Sequence, residues 1–429
     1  MRIVSLNSDS KKNILENMLK RSPSQYTQYE ATVAEILKDV REKGDEAVFT
    51  LTQKFDKWAA NASNVRVSSQ EIREAYANVD PRLIEVLKEA AENIRVFHEK
   101  QVRDSWFMTK PDGSILGQKF TPIASAGCYA PGGKAAYPSS VLMNIIPAKV
   151  AGVKRIALAT PALNGIVNSA TLVAADIAGA DEIYKIGGAQ AIAAFAYGTD
   201  SIPKVDKITG PGNIFVALAK KAVFGQVGID SIAGPSEILV IADETANPRF
   251  VAADLLSQAE HDEMASAILL TTSKTLAEKV SEEVDKFVAV AERRDIIQKS
   301  LDNYGYIMVA DNMEDIVDAA NEIASEHLEI VARDAAILMT KIKNAGAIFI
   351  GTYSSEPLGD YFAGPNHILP TNGTAKFFSP LNVDDFTKKT SIIAYSKEGL
   401  EKDHEKIEYF AAKEGLTMHA KSINVRFED

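Results

Sequence analysis

Cysteine is nearly absent: Cys128 is the only one in 429 residues, so no intrachain disulfide can form and no thiolate-bound zinc or iron-sulfur site can be assembled. Any metal must sit on His, carboxylate or amide groups. A basic excess is missing too. The formal net charge of -11 argues against a non-specific polyanion binder, because a phosphate backbone repels an acidic face, and no nucleic-acid partner is expected. Nor is there a long uninterrupted apolar run. The first twenty residues lack the basic-then-apolar pattern of a secretory signal, and the apolar stretch 141–153 is broken by Lys149, so a soluble cytoplasmic protein with no membrane partner is expected. What is present is an ordinary globular composition, 46% hydrophobic and 24% charged, with enough apolar surface for more than one core.

Between Tyr26 and about Arg103, apolar residues recur at three- and four-residue spacing over 31–40, 46–55 and 72–96, which predicts helices. Ser68 with Glu71 three positions later has the form of a capping box. From Phe120 onward short apolar runs alternate with amphipathic segments: strands at 155–160, 182–186 and 207–209, and helices at 169–178, 189–197 and 214–224. Repeated β-α-β implies a parallel sheet with right-handed crossovers. A second alternation runs from 237–242 through 248–261, 267–271, 275–291, 306–309 and 313–324 to 345–350. The fold class is therefore α/β, with two incomplete Rossmann-like, doubly wound domains and small N- and C-terminal tail segments. The segment after Pro380 is short and charged, with its clearest helix at 403–414, and is too small to bury its own core. It should pack on something else.

Four glycine-bearing turns fall at strand-helix junctions: Tyr129-Ala-Pro-Gly-Gly133, Gly187-Gly-Ala-Gln190, Thr209-Gly-Pro-Gly-Asn213 and Ala233-Gly-Pro-Ser-Glu237. Glycine lets backbone approach a ligand, and a following helix N-terminus favours an anion, so such turns can hold a dinucleotide pyrophosphate. None is the G-x-G-x-x-G fingerprint, and a glycine turn in an α/β protein is often only a turn. Four together point to ligand binding without naming the ligand.

The histidines are His98, His261, His327, His367, His404 and His419. In Gln258-Ala-Glu-His261, at the end of a predicted helix, three-residue spacing aims Gln258 and His261 at the same spot. With Asp360, which opens a turn-rich loop running to His367, and His419 after the last helix, they would form a mixed N/O donor set suited to zinc or a similar divalent ion. A lone Q-x-x-H is more often a solvated helix face. Glu326-His327 lies where a helix hands over to a strand. A carboxylate beside an imidazole suits proton transfer, whereas the bland alternative is a helix C-terminus with a His complementing the dipole.

Taken together, these segments closely resemble the histidinol dehydrogenase family. The match is carried by Tyr129-Ala-Pro-Gly-Gly133 with Ala136-Tyr-Pro-Ser-Ser140, Gly187-Gly-Ala-Gln-Ala-Ile192, Thr209-Gly-Pro-Gly-Asn213, Ala233-Gly-Pro-Ser-Glu237, Gln258-Ala-Glu-His261, Ser325-Glu-His327, Gly364-Pro-Asn-His-Ile-Leu-Pro-Thr371 and Glu414-Gly-Leu-Thr-Met-His419, in family order. The resemblance implies one zinc per subunit on Gln258, His261, Asp360 and His419, and NAD against Tyr129, Gln190 and Asn213. It implies Glu326 and His327 as the catalytic acid-base pair. Ser236, His327, His367 and Glu414 correspond to substrate-contacting positions, alongside the ligands Gln258, His261, Asp360 and His419. It also implies a homodimer whose tails complete the neighbour's active site.

The domain plan that follows is a tail at 1–25, a first Rossmann-like domain from 26–125 plus 238–380 carrying the metal and catalytic residues, a second, NAD-contacting domain at 126–237, and a dimerisation tail at 381–429. The implied activity is oxidation of L-histidinol through L-histidinaldehyde to L-histidine with NAD, a four-electron reaction forming the last two steps of histidine biosynthesis. In it His327 accepts protons, Glu326 activates water, and Glu414 holds either the distal imidazole or the ammonium group. The alternative is a related zinc and NAD enzyme acting on another small alcohol, such as a sulfonated diol. Cys128 precedes the Tyr129 turn, where a thiol invites a covalent thiohemiacetal route. No His or cation lies in the adjacent sequence to activate it, and the family does not depend on such a nucleophile.

Overall fold

The computed structural model describes residues 1–19, 27–132 and 137–428, so Gly133 and Ala136 of the first glycine-turn motif lie outside the described residues. The chain falls into two compact units, Met1–Gln101 with Ile123–Phe386, and Val102–Pro122 with Thr387–Asp429.

The larger unit opens with strand β1 (Arg2–Ser5) and helix α1 (Ser8–Leu19), then helices α2 (Thr27–Lys43), α3 (Asp45–Asp56), α4 (Ser69–Asn78) and α5 (Pro81–Glu99). A hairpin of β2 (Trp106–Thr109) and β3 (Ile115–Pro122) belongs to the smaller unit. The larger unit resumes with β4 (Ser125–Tyr129), α6 (Pro138–Ala151), β5 (Arg155–Ala159), α7 (Ser169–Ala178), β6 (Glu182–Tyr184), α8 (Gly188–Tyr197), β7 (Lys207–Thr209), α9 (Ile214–Val223) and β8 (Gly228–Ile229). These strands form a parallel sheet in the order β6-β5-β4-β7-β8.

A second series follows: β9 (Glu237–Ala242), α10 (Pro248–Ala259), β10 (Ser266–Thr271), α11 (Lys274–Val288), α12 (Arg294–Tyr304), β11 (Gly305–Val309), α13 (Met313–Ile323), β12 (His327–Val331), α14 (Ala335–Met339) and β13 (Ala347–Ile350). It builds the parallel sheet β1-β11-β10-β9-β12-β13. Helix α15 (Glu356–Tyr361) comes next, and the smaller unit closes with β14 (Thr387–Ala394), α16 (Lys397–Lys413) and α17 (Thr417–Asn424).

Leaving β1 aside, the two sheets share one winding plan: each starts at a central strand, steps outward twice, then returns to the other side. This is the doubly wound, Rossmann-like order, with a switch point between β4 and β7 in one sheet and between β9 and β12 in the other. Helices cover both faces, so β9 and β10 are buried at every position and read as near-continuous apolar runs. Among the described residues no helix is long and apolar enough to cross a membrane.

The structure differs from the sequence-based plan in five places. Helices α2–α5 pack on the five-stranded sheet: Leu87 and Ile94 share a core with Ala126 and Ile156, and Val33 and Val48 share one with Ile186 and Phe195. They therefore do not belong with 238–380, whose sheet buries its faces in separate clusters containing Val251, Val280, Ile316 and Ala320. Residues 2–5 are an edge strand paired with β11, and Ile14 of α1 is buried beside Leu239. The expected helix over 72–96 is two helices, because Asp80 caps a new one and Pro81, which lacks an N–H, fits its first position. The hairpin over 102–122 pairs antiparallel with β14, so the C-terminal segment supplies a strand before its helices. Residues 381–386 lie in the larger unit, with Leu381 and Phe386 in its core.

Candidate active site

Helix α13 ends with Ala324 in a left-handed conformation, φ 52°. That turn delivers Ser325, Glu326 and His327 to the start of β12, alongside β9, with His327 opposite Ile238. Glu326 and His327 thus sit at the N-terminal end of β12, the edge opposite to the usual carboxyl-end crevice of a doubly wound sheet. Both are buried. The Glu237 N–H donates to Glu326 Oε2 at 2.8 Å, and His327 Nδ1 lies 3.1 Å from the Glu237 carbonyl. A carbonyl only accepts, so Nδ1 carries the proton there and Nε2 faces the other way.

Two helices pack against the imidazole. The last turn of α10 supplies Gln258, whose Nε2 lies 3.5 Å from His327 Nδ1. Helix α15 supplies Glu356 and Asp360, four residues apart and so on one face, at 3.9 Å and 3.7 Å from His327 Nε2. Ligand atoms of His327, Glu356 and Asp360 all lie within 4.8 Å of one another. Burial works against a charged His327, but Glu326 and Asp360 outweigh it and hold the imidazole well above its ordinary pKa. Burial pushes the Asp360 carboxyl up, yet His367 and His327 more than offset this and leave it depressed. Glu356 is raised by burial and by Asp360, and behind it Glu329 is raised by burial and by Asp254. Buried carboxylates crowded together keep protons unless a cation arrives.

Gln258 Oε1, His327 Nε2 and Glu356 Oε1 are buried without a hydrogen-bond partner. Orphaned N and O donors beside a carboxylate fit a divalent cation such as zinc, and the absence of thiolate fits the same class of ion.

The carboxyl edge of the five-stranded sheet gathers three of the glycine turns. Tyr129 is buried, its hydroxyl accepts the Gly188 N–H at 3.1 Å, and burial pushes its pKa up to about 12. The Tyr129 carbonyl accepts from Asn144 Nδ2 at 3.0 Å, and Asn144 Oδ1 accepts from Thr209 Oγ1 at 2.7 Å. Gly210 has φ +115°, and a Cβ there would overlap the Tyr129 carbonyl and the Asn144 amide. Its carbonyl accepts from Lys220 at 2.9 Å and its N–H donates to Asp230 at 2.8 Å, with Lys220 and Asp230 ion-paired. Gln190 is buried in the first turn of α8, whose N-cap Gly187 offers no side-chain cap. Uncapped N–H groups beside a glycine turn fit a dinucleotide phosphate. Asn213 caps α9 with its side-chain oxygen.

His367 spans the two regions: its Nδ1 is 2.9 Å from the Asp360 carbonyl, and its Nε2 is 3.2 Å from Ser140 Oγ on α6. The sequence over residues 19–427 matches the family model described as histidinol dehydrogenase. A histidinol dehydrogenase of Halalkalibacterium halodurans is 58% identical over 92% of this chain and 93% of its own length, and one of Bacillus subtilis is 55% identical over 95% and 96%. The crystal structure of histidinol dehydrogenase from Elizabethkingia anophelis superposes with a TM-score of 0.94 at 38% identity, covering 99% of this chain and 98% of that one. The chain belongs to the histidinol dehydrogenase family.

Of the site residues that resemblance to histidinol dehydrogenase implied, Gln258, Glu326, His327, Asp360 and His367 lie together, with Ser236 next to Glu237. His261 is exposed on the turn after α10, its N–H donating to the Gln258 carbonyl at 3.1 Å. Glu414 caps the end of α16 and His419 lies in α17, both exposed and both in the smaller unit. Among the described residues His327, Glu356 and Asp360 are the group of His, Cys, Asp and Glu side chains that could hold an ion, and of the expected ligands it contains Asp360. Sequence reasoning missed Glu237, Glu329 and Glu356. The Glu356–Asp360 spacing of four was a readable signal, but Glu356 precedes a proline and no long periodic helix marks it. Cys128 is fully buried, and burial pushes its thiol up to about 12, so it is unsuited to be a nucleophile.

Proposed function

We propose that this chain oxidises L-histidinol through L-histidinaldehyde to L-histidine with two NAD, the last two steps of histidine biosynthesis, in the cytoplasm. The observation that carries the reading is the pairing of Glu326 with a His327 whose Nε2 faces the carboxylates of Glu356 and Asp360, with Gln258 on the Nδ1 side of the ring. NAD, held against Tyr129, Gln190 and Asn213, would supply the hydride acceptor. A zinc ion held by Gln258, His261, Asp360 and His419 would anchor the substrate's amino and imidazole nitrogens and, by taking up the Asp360 charge, loosen that carboxylate's hold on the His327 proton.

His327 Nε2 then receives the hydroxyl proton, while Nδ1–H stays on the Glu237 carbonyl and keeps the ring oriented. Glu326 takes a proton from water for attack on the aldehyde, and His327 accepts again in the second oxidation. Ser236 and His367 line the substrate, and Glu414 holds its distal imidazole or its ammonium. Relatives that share over half their residues along nearly the whole chain favour histidinol over a sulfonated diol. With NAD, histidinol should give NADH while a sulfonated diol gives less than about a hundredth of that rate, since sites built for polar groups reject analogues by factors of this size or more. The reverse order would overturn the substrate.

We also propose a homodimer, one zinc per subunit, in which Glu414 and His419 of one chain complete the site of the other. Support comes from what the single chain leaves in water: beside those residues Tyr409, Phe410 and Met418 are 66%, 67% and 73% exposed, an apolar set that calls for a partner. A two-fold arrangement is reciprocal. Co-expressed His327→Asn and His419→Asn chains should then form mixed dimers with one intact and one doubly damaged site, restoring roughly a quarter of wild-type activity under random pairing. No recovery in purified mixed dimers contradicts a shared site.

A further inference from the structure

We propose that Glu237 is a positioning residue for the acid-base pair, set above all on the water-activating carboxylate of Glu326; this rests on the roles given above to Glu326 and His327. Glu237 begins β9, Glu326 directly precedes the neighbouring strand β12, and the two grip one another through the main chain. The Glu237 N–H donates to Glu326 Oε2 at 2.8 Å, and the Glu326 N–H donates back to Glu237 Oε2 at 3.4 Å. Glu237 Oε1 accepts the Asn372 N–H at 3.2 Å, and next to it Thr371 Oγ1 accepts the Gly234 N–H at 2.7 Å. The Glu237 carboxylate thus ties the start of β12 to the loop that carries Thr371 and Asn372. It is 0% exposed, and a carboxylate so buried persists only where N–H groups satisfy it.

The consequence is a division of labour within one residue. The Glu237 carbonyl faces His327 Nδ1 at 3.1 Å, a contact that any side-chain substitution leaves in place. The Glu237 side chain instead sets the Glu326 backbone, and with it a carboxylate whose Oε2 is already engaged and whose Oε1 is the oxygen left to take a proton from water. Loss of that side chain should therefore weigh more on the step that needs Glu326 than on the step that needs His327. A residue that merely stabilised the strand would depress both alike.

The test uses Glu237→Gln and Glu237→Asp full-length enzyme, loaded with zinc, beside Glu326→Gln. Glutamine keeps one accepting oxygen and turns an NH2 toward a backbone N–H. Aspartate keeps the charge but is one methylene short, and it decides the matter if the glutamine variant does not fold. Rapid mixing of histidinol with NAD reads the first hydride, and steady-state turnover of histidinaldehyde reads the second half. Aldehyde oxidation should fall about ten-fold further than the first hydride step, the size expected for losing one charge-assisted hydrogen bond. Equal loss in both steps, or loss in neither, overturns the proposal. Undiminished aldehyde oxidation by Glu326→Gln would instead overturn the role of Glu326 on which it rests.

Discussion

His327→Asn should slow both oxidations by about a hundred- to ten-thousand-fold, the range that a positioned general base contributes. Asparagine can still reach the Glu237 carbonyl with its NH2, so the buried hydrogen bond at 3.1 Å has a replacement. What it lacks is a titrating nitrogen where Nε2 meets Asp360 and Glu356 at 3.7 Å and 3.9 Å. Glu326→Gln separates the steps: an amide cannot take a proton from water, yet it can still accept the Glu237 N–H through its oxygen. Oxidation of histidinaldehyde should collapse, and the first hydride from histidinol should suffer far less. The comparison to make is the rate from alcohol and from aldehyde for both variants. Normal rates on both substrates for either variant would remove that residue from the mechanism.

Chelating the metal should abolish turnover and leave the fold standing. The two sheets bury cores of their own, including Leu142, Ile156, Phe195, Leu269 and Ile307, and none of these needs the ion. Among the proposed ligands, Gln258 Oε1 is buried without a hydrogen-bond partner. A catalytic zinc site with open positions, as proposed above, would not be one on which folding depends. Activity below about one per cent after chelation, restored by added zinc, with an unchanged far-ultraviolet spectrum, is the expected outcome. Full turnover at less than stoichiometric metal would remove the ion from the account, and loss of helical signal would make it structural.

Strand-helix alternation was legible because buried parallel strands and their crossover helices carry local patterns. Residues 169–178, 207–209 and 237–242 fall where periodicity placed them, as α7, β7 and β9, and Ser68 with Glu71 forms the capping box its spacing announced. Pairings between distant segments were not legible. β1, β3 and β14 find their neighbours across long stretches of chain, and β14 reads Thr-Lys-Lys-Thr-Ser-Ile-Ile-Ala, polar enough to pass for a loop. Assignment of α2–α5 to a sheet failed for a related reason: an amphipathic helix states that it has an apolar face, not which sheet will cover it. In the site, Glu326 and His327 stood out as a dipeptide and Gln258 by its spacing. Glu237 and Glu356 did not, because each works through a main-chain contact or a packed neighbour that a linear motif does not display.

The central claim is that one site performs two successive oxidations on one substrate, and counting reduced cofactor tests it most directly. Histidinol at limiting concentration is carried to completion with excess NAD, and NADH is measured against histidinol consumed and histidine formed. Two NADH per histidinol, with histidine as the product and no aldehyde accumulating in solution, is the result predicted by a site holding both His327 and Glu326. One NADH per histidinol with free aldehyde, or none at all, would contradict it.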